Sequence, residues 1–197
     1  MKPKVYVEGG GNSSLNRECR EGFAKLFSKL GLPVQFVACG SRDSAFKDFK
    51  NAVLKSDETW PILLVDSEEV IVLSTKKGHL TKRDAVWQFP ESVTERQIQL
   101  MATCMESWLL CDRPTLLEYF GQYFKEGSLP SQIAIEDRDH HEVIEALNAA
   151  TRDCGKGKSY DKGRHSFKVL ARIDPQKLMG LKYFHEAYLA IKGHAKT

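Results

Sequence analysis

The period of hydrophobic positions changes several times along this 197-residue chain, and each change marks a predicted element. Val5-Tyr-Val7 is short, β-branched and aromatic, which predicts a strand, and it ends on Glu8 and three glycines, Gly9 to Gly11. Asn12, Ser13 or Ser14 can cap a following helix, in which Leu15, Cys19, Phe23, Leu26 and Leu30 form one apolar stripe that stops at Gly31. Pro33 to Ala38 predicts a second strand and Cys39 to Asp43 a polar loop. Asp43 then caps a helix to about Lys55, with Phe46, Phe49 and Val53 inward. Trp60 to Val65 is continuously apolar, as expected of a parallel strand covered on both faces. The alternation predicts an α/β fold with a doubly wound, mainly parallel central sheet flanked by helices.

The pattern is less regular beyond Glu69. Val70 to Leu73 predicts a peripheral strand, and Ile98 to Cys104 a further one followed by a helix from Met105 to Cys111. One continuous helix from Thr94 also fits. Lys76 to Trp87 is polar and basic, and its pattern assigns it to no element. Pro114 opens a helix that ends at Gly121, Ser128 to Pro130 reads as a linker, and Asp139 to Thr151 as an amphipathic helix. Cys154 to Gly163 is a basic, glycine-rich loop. Two or three short helices follow, with Phe167, Leu170, Ile173, Leu181, Phe184, Tyr188 and Ile191 as core positions. The division expected is an α/β core over residues 1–121 and a helical C-terminal extension over 122–197, packed together as one structural domain.

Composition narrows the function classes. An apolar fraction of 42%, a charged fraction of 28% and a net charge of +3 are ordinary for a globular chain, and they neither demand nor exclude a polyanionic partner. The five cysteines are scattered without a CxxC pair, which argues against a zinc ribbon and against thioredoxin-like chemistry. No apolar run approaches the ~20 residues needed to cross a bilayer, so a cytoplasmic location and no membrane partner are expected.

The candidate chemistry begins with acids at strand ends. Glu8 follows the first strand, and Asp66 and Glu68 follow the third; in a parallel sheet, ligands bind outside the carboxyl ends of strands. Carboxylates gathered there repel one another unless a cation neutralises them, and hard oxygen donors favour Mg²⁺ or Mn²⁺. Equally, Glu8 can cap a helix or pair with an arginine, and Asp66 can simply begin a turn. Glu106 is a further candidate ligand or else a surface carboxylate. Gly9 and Gly10 offer clearance for a phosphate, and Arg42 can grip one bidentately. In the basic loop, Lys162 and His165 are candidates to stabilise developing charge or protonate a leaving oxygen, with Lys158 and Arg164 holding the phosphate backbone; a plain solvated loop is the alternative. His79 and Arg83 are weaker candidates of that kind. Gly157-Lys-Ser159 lacks the spacing and preceding strand of a P-loop, the N-terminal glycines lack dinucleotide spacing, and His141-Glu142 lacks a second zinc-protease histidine.

A strand ending in Val-Glu-Gly, followed two units later by Leu64-Val-Asp-Ser-Glu68, resembles the Toprim catalytic core of topoisomerases, bacterial primases and overcoming-lysogenization-defect nucleases. The resemblance implies acid/base or metal chemistry for Glu8 and Mg²⁺ binding by Asp66 and Glu68. Glu68 stands where aspartate is commoner, which keeps the charge and lengthens one arm. Nearly the whole chain is also similar to the DUF4276 type of small bacterial Toprim-like proteins, through Val-Glu-Gly-Gly-Gly-Asn12, Cys39-Gly-Ser-Arg-Asp-Ser-Ala-Phe46, Cys104-Met-Glu-Ser-Trp108 and Lys162-Gly-Arg-His-Ser-Phe167. It implies a Mg²⁺- or Mn²⁺-dependent nuclease acting on DNA or RNA, working beside an ABC/AAA-type ATPase in phage defence. A non-catalytic adaptor docking on that ATPase is the alternative, and phosphoryl transfer at Asp66 a third. Self-association is left open.

Overall fold

The computed structural model describes residues 2–55 and 58–195. Four parallel strands, β1 (Lys2–Val7), β2 (Gln35–Ala38), β3 (Thr59–Asp66) and β4 (Ile98–Met101), form one sheet in the order β2-β1-β3-β4. The strand period of two decides what each helix covers. Val5 and Val7 of β1 sit in register with Ile62 and Leu64 of β3, on the face that packs Cys19, Phe23, Leu26 and Phe27 of α1 (Ser13–Ser28). The intervening Tyr6, Leu63 and Val65 meet Ala45, Phe46 and Phe49 of α2 (Arg42–Lys55) on the other face. Both faces are thus covered, which is why β3 reads as an unbroken apolar run.

The strand order fixes where a ligand can bind. The chain leaves β1 toward β2 on one side and leaves β3 toward β4 on the other, so a crevice opens between the carboxyl ends of β1 and β3. Glu8 and Asp66 stand at those two ends.

Several local assignments differ from the pattern. Val70 to Leu73 forms no strand, and Val72 is 76% exposed. The edge beside β3 is taken by Ile98–Met101, all buried. It is a loop into α3 (Lys76–Arg83), whose first turn is capped by the Thr75 hydroxyl accepting from the Gly78 N–H at 3.1 Å. The single-helix alternative from Thr94 is excluded: a 3-10 turn at Glu95–Gln97 leads into β4, which ends at Met101. The chain then passes a cis peptide bond between Ala102 and Thr103 and enters α4 (Glu106–Leu110) and α5 (Arg113–Phe120). Asp43 does not cap α2. Ser41 does, its hydroxyl accepting from the Ser44 N–H at 3.2 Å, while Asp43 takes the Trp87 indole N–H at 2.9 Å.

The remaining helices, α6 (His140–Thr151), α7 (Lys162–Leu170) and α8 (Lys182–Ala195), share an apolar cluster with α1 and the sheet, so one core runs across residue 121. Trp108 meets Phe23 and Phe184 edge-on at ring distances of 6.4 and 5.0 Å. Helix α7 lies close on α1 because Gly22 has no side chain there; a Cβ would stand 2.8 Å from the Phe167 carbonyl oxygen. The Lys29 ammonium donates to the carbonyls of Ala171, Arg172 and Ile173 at 3.1, 2.8 and 2.7 Å, closing the carboxyl end of α7 against α1. Its other end, carrying Lys162, is thereby directed at the β1–β3 crevice. All five cysteines are free thiols. No described helix is long and apolar enough to cross a membrane.

Phe23 sits where α1, the sheet and α7 meet, fully buried and within 5.5 Å of the Phe36 ring. Phe23→Ala is expected to lower unfolding free energy by about 3–5 kcal/mol in urea titrations. Val86→Ala, at a side chain 84% exposed, should fall within about 0.5 kcal/mol of wild type.

Candidate metal centre at the β1–β3 crevice

Asp66 is the last residue of β3 and is buried. One carboxylate oxygen accepts the Met105 backbone N–H at 2.8 Å, and the other lies 3.3 Å from the Lys162 ammonium. Glu8 extends β1 by one rung, its N–H bonded to the Leu64 carbonyl at 3.3 Å. Glu68 comes from the turn after β3. One oxygen from each of Glu8, Asp66 and Glu68 falls within 4.8 Å of the other two. Glu8 and Asp66 line a cleft of about 230 Å³ together with Gly9, Gly10, Met105 and Lys162, while Glu68 stands outside that lining.

Glu68 reaches this position through an unusual backbone. Its φ is +65°, a left-handed conformation that costs a non-glycine residue on the order of 1–3 kcal/mol and needs its surroundings to hold it. They do so at three successive carbonyls. The Asp66 carbonyl accepts from the Arg42 guanidinium, the Ser67 carbonyl from His79 Nε2 at 3.0 Å, and the Glu68 carbonyl from His140 Nδ1 at 2.7 Å. On the amide side, Ser67 N–H bonds to Met101 O at 3.0 Å and Glu68 N–H to Thr103 O at 2.7 Å. Helices α2, α3 and α6 and the end of β4 therefore all fix one turn.

The structure brings together some of the sequence-derived candidates and sets others apart. Glu8, Asp66, Glu68 and Lys162 converge. Glu106 is fully buried and lies one step behind: it accepts from the Tyr160 hydroxyl at 2.7 Å and stands 3.7 Å from the Lys162 ammonium. Its place is to hold Lys162 against Asp66. Arg42 has all its guanidinium nitrogens engaged within the protein. Nε and Nη2 donate to Asp84 at 3.1 and 2.9 Å, Nη1 donates to the Asp66 carbonyl, and the group lies over the Trp87 ring and 3.7 Å from Glu8. Arg42 thus positions the turn and Glu8 and has no free face for a bidentate phosphate contact.

His165 is buried among Tyr119, Phe120 and Tyr160 and does not line the cleft. Its Nδ1 accepts the Asp161 N–H at 3.0 Å, and burial lowers its pKa, so the neutral ring serves as an anchor for the loop before α7. Lys158 is exposed on that loop and Arg164 on the first turn of α7, both outside the cleft lining. Gly9 and Gly10 do line the cleft, with φ of +128° and +102°. The room they give is used by protein: a Cβ would stand 2.6 Å from the Phe167 ring at Gly9 and 2.0 Å from Asn16 Oδ1 at Gly10. Arg83 is tied to Asp84 at 3.1 Å. Asp112 caps α5 and accepts from the Asp174 N–H at 2.8 Å. Nothing in the local pattern marks the parts played by His140, Asp84 and Trp87, because the Glu68, Arg42 and Asp43 groups they meet lie 40 or more residues away in the chain.

Four carboxylates, Glu8, Asp66, Glu68 and Glu106, face two cations, Arg42 and Lys162, and Arg42 is shared with Asp84. Buried oxygens of Glu8 and Glu106 lack hydrogen-bond partners. Burial pushes Asp66 up to about 8, opposed by Lys162 and reinforced by Glu8, Glu106 and Glu68. Burial also raises Glu8, against the pull of Arg42 and with Glu68 adding to the rise. Burial alone would lower Lys162, but Asp66 and Glu106 override it and the net direction is upward, so it stays an ammonium. A partly neutralised, all-oxygen cluster with unbonded buried lone pairs fits a hard divalent cation, which would be held by Glu8, Asp66 and Glu68.

The pH dependence follows in sign. Asp66 has a folded pKa above its unfolded value of 3.8, so between that value and about 8 the folded chain holds a proton the unfolded chain has lost. Cation-free protein should therefore lose stability as pH rises through that window, and Mg²⁺ should restore more of it at pH 8.5 than at pH 5.5. Urea titrations of wild type and Asp66→Asn with and without Mg²⁺ check this. Parallel pH profiles for the two proteins would remove Asp66 as the titrating group.

No curated protein and no solved structure matches the chain. The sequence pattern of the family described as Domain of unknown function (DUF4276) matches residues 7–186, which spans the acids at both strand ends, the clamped turn and the helix that carries Lys162. The chain belongs to the DUF4276 family.

Proposed function

We propose that this protein is a Toprim-like, Mg²⁺- or Mn²⁺-dependent nuclease that hydrolyses phosphodiester bonds in DNA or RNA. The observation that carries the reading is the convergence of Glu8, Asp66 and Glu68 within 4.8 Å, with Lys162 beside Asp66, at the sheet's switch point. The Toprim relationship is supported by the order of parts: a glutamate ending the first strand and an Asp-x-Glu ending the third, on neighbouring parallel strands.

The bound cation would lower the pKa of a coordinated water and stabilise charge on the phosphoryl oxygens. The chain's own groups do the rest. Asp66 and Glu68 fix the position of the positive charge, because Asp66 is oriented by the Met105 N–H and Glu68 by the clamped turn. Glu8, raised from its ordinary value chiefly by burial, stands at the cleft where it can take a proton from a nucleophile. Lys162, kept charged and held by Asp66 and Glu106, presents an ammonium to a non-bridging phosphate oxygen at the cleft. Lys156, Lys158 and Arg164 are exposed on the loop before and at the start of α7, where they extend positive charge for a nucleic-acid backbone.

We place this activity in the cytoplasm beside an ABC/AAA-type ATPase, as an effector in phage defence. A second reading, the non-catalytic adaptor, is favoured by one feature. An open groove of about 910 Å³, which includes the exposed Val72 and Leu189, lies away from the residues of the acidic cleft.

Incubation of labelled single- and double-stranded DNA and RNA with wild type and Mg²⁺ or Mn²⁺, alone and with the ATPase, tests the proposal. Cleavage should require the cation and fall by roughly 100-fold or more in Asp66→Asn and Glu8→Gln, and by about 100-fold in Lys162→Ala. Absence of cleavage in every arm, with the ATPase complex intact, would favour the adaptor. Undiminished cleavage by Asp66→Asn would exclude this site.

A further inference from the structure

Beyond the three carboxylates, the turn after β3 carries a histidine whose geometry the catalytic reading does not use. His140 is the first residue of α6, and its Nδ1 lies 2.7 Å from the Glu68 carbonyl oxygen. A carbonyl can only accept, so Nδ1 carries the hydrogen. In the neutral ring Nε2 then bears the lone pair. That Nε2 faces Glu68 Oε2 at 3.7 Å. An imidazole whose far nitrogen donates to a backbone carbonyl, with its near nitrogen turned to a carboxylate, has the orientation of a metal ligand held by its outer-shell partner.

We propose that His140 and Glu68 form a second cation subsite of mixed nitrogen and oxygen character, adjoining the all-carboxylate subsite and sharing Glu68 with it. This rests on the cation-dependent reading above and adds to it a chemically distinct ion. Bonds of about 2.0–2.2 Å to one tetrahedral ion place two ligand atoms roughly 3.4 Å apart, so the observed 3.7 Å closes with little movement. On the His140 side, one ligand atom each of Asp139, His140 and His141 falls within 4.8 Å of the others, a group separate from that of Glu8, Asp66 and Glu68. Asp139 uses one oxygen on the His141 N–H at 2.8 Å, which leaves its second oxygen free to turn. The left-handed backbone of Glu68 is what allows one carboxylate to serve both sides, since its carbonyl is held by α6 while its side chain reaches back toward Glu8 and Asp66. Imidazole selects first-row transition ions over Mg²⁺, so the subsite should take Mn²⁺, Co²⁺ or Zn²⁺ where the carboxylate subsite takes Mg²⁺.

Tag-free protein gives the test, with binding rather than activity as the readout. Wild type titrated with Mn²⁺ should bind two ions, and pulsed electron paramagnetic resonance should show coupling to an imidazole nitrogen. His140→Ala should lose that coupling and, because the Glu68 carbonyl loses its donor, should also weaken Mg²⁺ binding by calorimetry. His140→Gln, whose amide can still donate to the Glu68 carbonyl, separates loss of the ligand from disturbance of the turn: it should bind one Mn²⁺ and lose the coupling while keeping Mg²⁺ affinity within about threefold of wild type. Absence of nitrogen coupling in wild type, or its survival in both variants, would overturn the proposal. Mg²⁺ calorimetry on Asp66→Asn reads the carboxylate subsite by itself: affinity lost there while wild type shows no nitrogen coupling leaves the first reading standing and removes only the second.

Discussion

Three consecutive carbonyls at the end of β3 are each held by a side chain from a different helix, and the geometry of the site depends on that grip. Arg42 of α2 takes the first, His79 of α3 the second and His140 of α6 the third. Together with the Ser67 and Glu68 amide bonds to Met101 and Thr103 they hold Glu68 at a φ of +65°, and in that conformation its carboxylate joins those of Glu8 and Asp66. The remaining architecture can be read as the means of bringing three helices to one turn. The sheet order opens the crevice, Met101 at the end of β4 and Thr103 just beyond it supply acceptors for the Ser67 and Glu68 amides, and the loop from Val70 to Leu73 lets α3 swing back under Ser67.

The same logic governs the C-terminal segment. Helix α7 is locked on α1 by the missing side chain at Gly22 and by Lys29 against three terminal carbonyls, and this sets where its first residue lies. Lys162 then meets Asp66 on one side and Glu106 on the other. Burying the Asp66 and Glu106 carboxylates is costly unless the pairing and hydrogen bonding are good; here the half-exposed Lys162 ammonium pairs with both, and the Tyr160 hydroxyl and the Met105 amide satisfy oxygens that Lys162 does not. The carboxylates still outnumber the cations, and that imbalance is the strongest electrostatic argument for a bound divalent ion.

Much of the fold could be read directly. The i, i+4 stripe of α1 and the unbroken Ile62-Leu-Leu-Val65 report periods of 3.6 and 2 that any covered helix or strand must show. Glu8, Asp66 and Glu68 were legible as a candidate site because each follows a strand whose carboxyl end points at the same rim. Val70 to Leu73 misled because a short apolar run has the same composition whether it pairs or not, and the place beside β3 had gone to Ile98–Met101. Arg42 and His165 misled for a related reason: a cation or imidazole in a polar loop carries no mark of whether it faces a ligand or a carbonyl.

What the sequence determined by itself was therefore the layered α/β plan, the two acid-bearing strand ends and the family. The tertiary structure alone decided that Arg42 and His165 are fastenings, that Glu106 stands behind Lys162, and that His140 stands beside Glu68. The physical reason is range. Periodicity and strand-end chemistry are set by neighbours within a few residues, whereas the pairs that shape this site span 24, 39, 72 and 96 positions of chain. Contacts that distant exist only once helices have docked, and the sequence states which groups are available without stating which of them meet.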